Sequence, residues 1–103
     1  MELLTIRYAA QGGNESCALC GAPSRSVPGP RLFLADGADM VCRTCGKQHA
    51  PNLVALLDLA HAADRVGRVC RHTLVPPMET LLNLARAAED YTNSTREVME
   101  RAA

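Results

Sequence analysis

Four of the five cysteines stand in two pairs whose spacing is typical of metal-binding turns. Cys17 pairs with Cys20, and Cys42 pairs with Cys45, each time across two intervening residues. This spacing lets both sulfur atoms of one tight turn reach an ion at about 2.3 Å, and two such turns complete a tetrahedron. The sequence therefore predicts one structural Zn²⁺ per chain, held by these four cysteines.

A glycine follows the second cysteine of each pair, Gly21 in the first and Gly46 in the second. A turn of this kind needs a residue that tolerates positive φ, because its backbone N–H groups must point at the thiolates and spread their charge. We therefore expect both glycines to adopt that conformation.

Other roles for the cysteines agree less well with the sequence than a zinc site does. Disulfides are disfavoured because the start of the chain lacks the apolar run and cleavage site of a secretion signal. Iron–sulfur centres also use four cysteines, but zinc is the commoner metal in paired turns. His49 could replace a cysteine as a ligand, although the set of four is already complete. We interpret Cys70, which lies near His72, as a small core residue of a helix.

The two Cys-x-x-Cys-Gly motifs resemble the knuckles of zinc ribbons, over residues 16–50. That resemblance implies a metal scaffold and no particular task, because ribbons host many functions. More loosely, the order of the first pair, Gly29-Pro30, the second pair and a helix is similar to the treble-clef-like N-terminal zinc-binding domain of ClpX. This second resemblance implies dimerisation and docking of adaptors or substrates.

The chain departs from the ClpX domain in two respects. In that domain the helix follows the second cysteine pair at once, whereas here we expect Gly46 and Pro51 to delay it. The 103 residues contain no ATPase, so the resemblance does not imply unfoldase activity.

The elements that must position the cysteines can be predicted from periodicity. Residues Glu2–Tyr8 alternate as a strand does, and residues 31–34 and 40–42 flank an Asp36-Gly37 turn, which predicts a β-hairpin. Their combination with helices downstream indicates a small α+β fold.

Two helices are predicted after the second cysteine pair. Apolar residues recur at helical spacing from Leu53 onward, and Pro51 suits the first turn. A second helix opens after Pro76-Pro77, and the alternative is that Ser94 and Glu97 form a capping box that starts a separate last helix. The proposed heptad positions of that second helix are Leu81, Leu84, Ala88, Tyr91, Thr95 and Val98.

These elements form two predicted units. Residues 1–50 form a four-cysteine zinc-ribbon-like β-unit, and residues 51–103 form a two-helix hairpin. The β-unit has few large apolar residues, so metal binding must supply much of its folding free energy. The hairpin has a thin, alanine-rich core, and pairing with a second hairpin would complete it, so we expect a homodimer.

The composition and the motifs of the chain disfavour nucleic-acid binding and catalysis as functions. Lys plus Arg and Asp plus Glu each number 11, and only 3% of residues are aromatic, which is a poor basis for general nucleic-acid binding. No catalytic motif is present, so we expect a non-enzymatic interaction module that docks on a protein or on itself. No stretch is long and apolar enough to span a membrane, and the expected location is the cytoplasm.

The alternative is a nucleic-acid accessory factor. It would use an arginine-rich face, and its arginines must then converge in space. The candidate nucleic-acid or partner contacts are Arg43, Lys47, Arg65, Arg68 and Arg71, with Arg25 and Arg31 as further members.

Overall fold

The computed structural model describes residues 4–37, 39–71 and 75–102. Its elements are β1 (Leu4–Ala9), β2 (Gly13–Ser16), β3 (Pro23–Ser26), β4 (Gly29–Leu34), α1 (Arg43–His49), α2 (Pro51–Cys70) and α3 (Met78–Ala102). The fold is small α+β, as predicted, with short antiparallel strands in two sheets followed by helices. The predicted first strand begins at Glu2, outside the described residues, and is present from Leu4.

The four strands form one folded ribbon. β1 pairs with β4 up to Ala9 and Gly29, and β2 pairs with β3 from Gly13 and Ser26 onward. The two sheets are therefore consecutive lengths of a single two-stranded ribbon, separated by a bulge. A Cβ on Gly12 in this bulge would overlap the carbonyl oxygen of Ser26, so only glycine fits there. The bulge redirects the ribbon, whose tip at residues 17–22 carries the first cysteine pair.

The predicted hairpin around Asp36-Gly37 is present in reduced form. The prediction gave the return strand residues 40–42. The structure has a single β-bridge there, between Phe33 and Met40. β4 already pairs with β1 along its whole length, and Met40 is buried together with Val41. Because these two neighbours both enter the interior, the chain leaves the sheet there and turns toward the second cysteine pair.

Helix α1 was not predicted from the sequence, and neither were β2 and β3. Helix α1 begins at Arg43, directly after Cys42, so the expected delay by Gly46 and Pro51 is wrong. Gly46 lies inside α1, and Pro51 starts α2, where its missing N–H costs no hydrogen bond. The second cysteine pair therefore lies at the start of a helix and not in a second β-knuckle.

One hydrophobic core joins the metal-binding half to the helices. Its buried members are Cys17, Leu32, Val41, Cys45, Val54 and Leu57. The first four come from the ribbon, the loop after it and α1, and the last two come from α2. This core crosses the boundary drawn at residue 50, and the division into two units stays a prediction.

Helices α2 and α3 form the predicted hairpin. The Thr95 hydroxyl donates to the Asn52 side chain, 3.0 Å away, which places the end of α3 beside the start of α2. α3 is one continuous helix, so the alternative of a new start at Ser94 is wrong. Thr92, in the segment where that alternative placed the interruption, donates its hydroxyl to the Ala88 carbonyl and stays within helical geometry.

The face that α3 turns toward α2 is only partly the predicted heptad. Leu84, Ala88, Tyr91 and Thr95 are half-buried as expected. Leu81 is 38% exposed and Val98 45% exposed, so these two positions of the heptad are wrong. The face instead includes buried Thr80 and half-buried Ala87 and Ser94, because the straight helix has a period of 3.6 residues and drifts away from a seven-residue repeat.

We expect Gly46→Ala to destabilise the protein. The new Cβ would lie 2.5 Å from Leu32 Cδ1 and 3.0 Å from Val54 Cγ2, and both neighbours are buried. Overpacking of this kind costs roughly 1–3 kcal/mol, more than alanine gains in helix propensity. Urea unfolding of the metal-loaded protein measures the change.

Gly67→Ala is the matched control. Gly67 is also helical, but nothing lies within 4 Å of its added Cβ. Alanine should raise the free energy of unfolding by about 0.5–1 kcal/mol there. Equal effects of the two substitutions would contradict the proposed close packing at Gly46.

Candidate metal centre

The four paired cysteines converge on one point. Their sulfur atoms all lie within 4.8 Å of one another, and Cys20 Sγ lies 3.8 Å from Cys42 Sγ. A tetrahedral ion with metal–sulfur bonds of about 2.3 Å has sulfur atoms about 3.8 Å apart. A disulfide would need about 2.05 Å, and all five cysteines are free thiols. The cysteines are thus positioned to hold a metal ion.

The first pair lies in a knuckle at the tip of the ribbon. The Cys17 N–H donates to the Ala22 carbonyl, and the Gly21 N–H donates to the Cys17 carbonyl, both at 2.9 Å. Gly21 has φ +73°, as predicted, and this left-handed conformation closes the turn. The Leu19 N–H points at Cys17 Sγ, 3.4 Å away. The knuckle thus directs backbone donors at a thiolate.

The second pair is presented by a helix. Cys42 caps α1, and its sulfur accepts a hydrogen bond from the Cys45 N–H at 3.5 Å. Gly46 is helical and its φ is not positive, so the predicted conformation is wrong at this position. Its glycine is required by close packing against Leu32 and Val54 instead.

Backbone hydrogen bonds join the two halves of the site. The Cys42 N–H donates to Cys17 Sγ at 3.3 Å, and the Ala18 N–H donates to the Met40 carbonyl at 2.9 Å. Cys17 and Cys45 are buried in the core, whereas Cys20 is exposed. One side of the centre therefore belongs to the core and the other faces solvent.

The thiols have unequal proton affinities. Burial raises the pKa of Cys17, but hydrogen bonds from the backbone of Cys42, Cys20 and Leu19 outweigh it and lower the pKa to about 6. Hydrogen bonds with the side chains of Cys42 and Cys20, together with burial, raise the pKa of Cys45 to about 12. Four adjacent thiolates repel one another, so without a cation the cluster keeps protons that a metal must displace.

The other candidate ligands lie elsewhere. Among the described residues, the four cysteines are the only group that could hold a metal, and His49 is exposed at the end of α1. Cys70 is exposed at the end of α2, so its interpretation as a core residue is wrong. Its neighbour His72 lies outside the described residues.

Two of the candidate basic contacts are paired with aspartates. Arg43 forms a paired contact with Asp58, with Nε–Oδ1 at 3.3 Å and Nη2–Oδ2 at 2.7 Å, and this raises the pKa of Arg43. Arg68 contacts Asp64 at 2.9 Å on α2. The remaining candidates, Lys47, Arg65 and Arg71, are exposed.

The aspartate partners are residues that the sequence analysis did not assign to the arginines. Asp64 stands four residues before Arg68, a helical spacing that could have revealed the pair. Asp58 stands 15 residues after Arg43, and no local pattern connects them.

Comparison of the chain with protein-family models, with curated proteins and with solved structures finds no match. Within the described residues, none of the helices has the length and apolar character needed to cross a membrane.

We expect acidification to release the metal. Protons and metal compete for the thiolates, so each displaced proton makes the apparent affinity fall as the pH falls. Below pH 6 Cys17 also binds a proton before metal enters, so the affinity should fall more steeply there. Competition with a chelator of known affinity, repeated between about pH 5 and 8, measures the slope. A slope that stays constant through pH 6 would contradict the lowered pKa of Cys17.

Proposed function

We propose that this chain is a non-catalytic zinc-binding interaction module that self-associates through its helices. The observation that carries the proposal is a continuous uncharged face on α2 and α3, held in place by a metal-stapled unit. A reducing compartment such as the cytoplasm suits four free thiols.

Zinc is the ion that best fits the four sulfurs. In a multi-iron cluster the cysteine thiolates bind different irons. Sulfur atoms on different irons are therefore farther apart than two sulfur atoms that bind the same metal ion. Sulfur atoms within 4.8 Å of one another favour a single ion. Four thiolates leave a zinc ion no open position for water or substrate, so its role is structural.

The arrangement around the metal supports the looser of the two resemblances. Two zinc-ribbon knuckles would both be β-turns, whereas here one pair lies in a knuckle and the other at the start of α1. A helix that directly follows the second pair is the feature expected of a treble-clef-like module.

The uncharged face consists of one stripe on each helix. The α2 stripe is Leu56, Ala60 and Ala63, and the α3 stripe is Leu81, Ala85, Ala88, Thr92, Thr95 and Met99. Spacings of three and four residues put each set on one flank of its helix. In an antiparallel pair of right-handed helices these two flanks lie on the same side of the hairpin. The stripes therefore join into one surface, which we call the uncharged face.

The surroundings of this face favour a second copy of the chain as its occupant. α3 packs against α2 and makes no comparable contact with any other described element. The molecule measures 44 × 40 × 19 Å, and its radius of gyration of 14.9 Å exceeds the roughly 13 Å of a compact domain of this length.

Small residues on the uncharged face let a second pair of helices approach closely. A shallow cavity of about 520 Å³ beside Thr92 and Met99 offers room for a large side chain, and Arg96 and Glu100 line its far side and border the uncharged face. A symmetric dimer would bury both copies of the face and turn the hairpins into a four-helix bundle.

Nucleic-acid binding has weaker support. Arg25, Arg31 and Arg43 do line one cleft, but Arg43 is neutralised by Asp58. Lys47 and Arg71 lie outside that cleft. The chain has no net charge and only three aromatic residues, so neither phosphate contacts nor base stacking are well supplied.

We expect one zinc ion per chain, and Cys20→Ser to remove most of it. Cys20 is an exposed ligand, so a serine there weakens coordination without opening the core. Elemental analysis and zinc-chelator titration measure the loss. Cys70→Ser is the matched control, because Cys70 is exposed and far along the chain from the site. Iron in place of zinc, or equal metal content in both variants, would refute the assignment.

We expect the native mass in solution to be twice the 11.0 kDa of the chain. Leu81→Glu and Met99→Glu each place a charge on the uncharged face and should yield monomers, as light scattering at micromolar concentration measures. Asn83→Glu places the same charge on the opposite flank of α3 and should leave the dimer intact. Zinc content in all three variants checks that the fold survives. A wild-type monomer would overturn self-association.

A further inference from the structure

Beside the metal centre, two cavities join into a groove between the ribbon and α2. The first holds about 270 Å³ and lies next to Cys42, and the second holds about 480 Å³ and lies toward the end of α2. Val27 and His61 line both cavities. The groove follows α2 from Leu57 to Arg68, a length of roughly 16 Å.

The groove offers both apolar and backbone contacts. Leu32, Met40 and Leu57 contribute apolar walls, and Val27 is 70% exposed at the junction of the cavities. Three consecutive residues of β3, from Ser24 to Ser26, line the first cavity. Side chains of a strand alternate between its faces, so a run of three indicates that β3 borders the groove with its edge. β3 pairs only with β2, which leaves backbone groups on its other edge for a bound strand.

The groove also concentrates positive charge. Five of the ten arginines line it, together with two aspartates. The aspartates are occupied by Arg43 and Arg68, at 2.7 and 2.9 Å. Arg25 and Arg65 are exposed and form no ion pair within the described part of the chain.

Arg31 adds a charge that is poorly compensated. Its side chain is only 13% exposed, and its one carboxylate partner, on Glu15, lies 3.8 Å away. Its Nη1 donates to the Ser26 hydroxyl and its Nη2 donates to the Gln11 carbonyl at 2.8 Å, but these partners are neutral, and its Nε is buried without an acceptor.

The formal charge of the chain is zero with neutral thiols. Zinc on four thiolates would make it negative and place that charge at the Cys42 end of the groove. The arginine surplus is therefore local, and it attracts negative charge most strongly toward Arg65 and Arg68.

We propose that this groove binds an extended acidic peptide segment of a partner protein, with an apolar side chain anchored beside Val27. Guanidinium groups pair with carboxylates in a fork geometry, and the apolar walls suit an aliphatic side chain. At about 3.3 Å per residue, the groove accommodates about five residues in extended conformation. Nucleic acid fits less well, because no aromatic residue lines either cavity for base stacking.

The proposal names the partner chemistry of the proposed interaction module and rests on that role, but it does not require dimerisation. The groove uses Asp58, His61 and Arg65 of α2, whereas the uncharged face uses Leu56, Ala60 and Ala63. By helical geometry these sets lie on different sides of α2.

The test is a titration of the zinc-loaded full chain with a fluorescein-labelled peptide of about six residues that alternates aspartate and leucine. Fluorescence anisotropy at low salt gives the affinity. The same peptide with lysine in place of aspartate, and a single-stranded oligothymidylate of similar length, are the comparison probes. Arg25→Glu and Arg65→Glu should each weaken binding of the aspartate peptide by about tenfold or more. Arg86→Glu reverses an exposed charge on α3, away from the groove, and should change it by less than about twofold.

Equal affinity for the lysine peptide, tighter binding of the oligothymidylate, or an equal loss in Arg86→Glu would overturn the proposal. Light scattering on the same samples separates it from self-association. A monomer that binds the aspartate peptide supports the groove and refutes the dimer, and a dimer that does not bind it refutes the groove alone.

Discussion

The fold depends on the requirement that four sulfur atoms, from two segments of chain 21 residues apart, share one small tetrahedron. Thiolates at that separation repel one another unless a cation and backbone N–H groups offset their charge. The structure supplies donors from both segments, since Cys17 Sγ accepts from Leu19 N–H in its own knuckle and from Cys42 N–H across the site. The bend of the ribbon and the start of α1 at Arg43 bring these donors to the sulfur atoms.

Helix α2 transmits this local constraint to the rest of the molecule. Val54 and Leu57 on one side share a core with Cys17 and Cys45, and the opposite side packs against α3. The metal centre therefore fixes the position of α2, and α2 fixes the position of α3. Because the core is small, these successive contacts hold the chain in order. Within the described part of the chain, the last helix, α3, is covered on one side only, by α2. That incomplete covering is the feature on which the proposed interaction role rests.

Charge is distributed over the molecule in a way that net composition hides. Acidic and basic residues are equal in number, yet one flank of the helical hairpin carries two stripes of uncharged residues, while five arginines gather around the groove. Two of them are paired with aspartates, and Arg31 lies 3.8 Å from Glu15. Arg25 and Arg65 form no ion pair with the residues that the structure describes. The two surfaces differ in chemistry, so they suit different partners.

The sequence by itself determined the four-cysteine cluster, the first strand and the start of α2, because each depends on local chemistry. Cys-x-x-Cys spacing, the positive φ at Gly21 and a proline at the first position of α2 are properties of a few neighbouring residues. Thr92 shows the limit of such signals. Its polar side chain suggested a break in the helix, but its hydroxyl donates to the Ala88 carbonyl and the helix continues.

Only the tertiary structure decided the rest. Position 46 requires glycine because Leu32 and Val54 crowd it, and Leu81 is exposed because α2 covers a different face of α3. The pairing of Arg43 with Asp58, and the meeting of Arg25 and Arg31 with α2, join residues far apart in the chain. No local pattern encodes such contacts, because they arise from the packing of whole elements against one shared core.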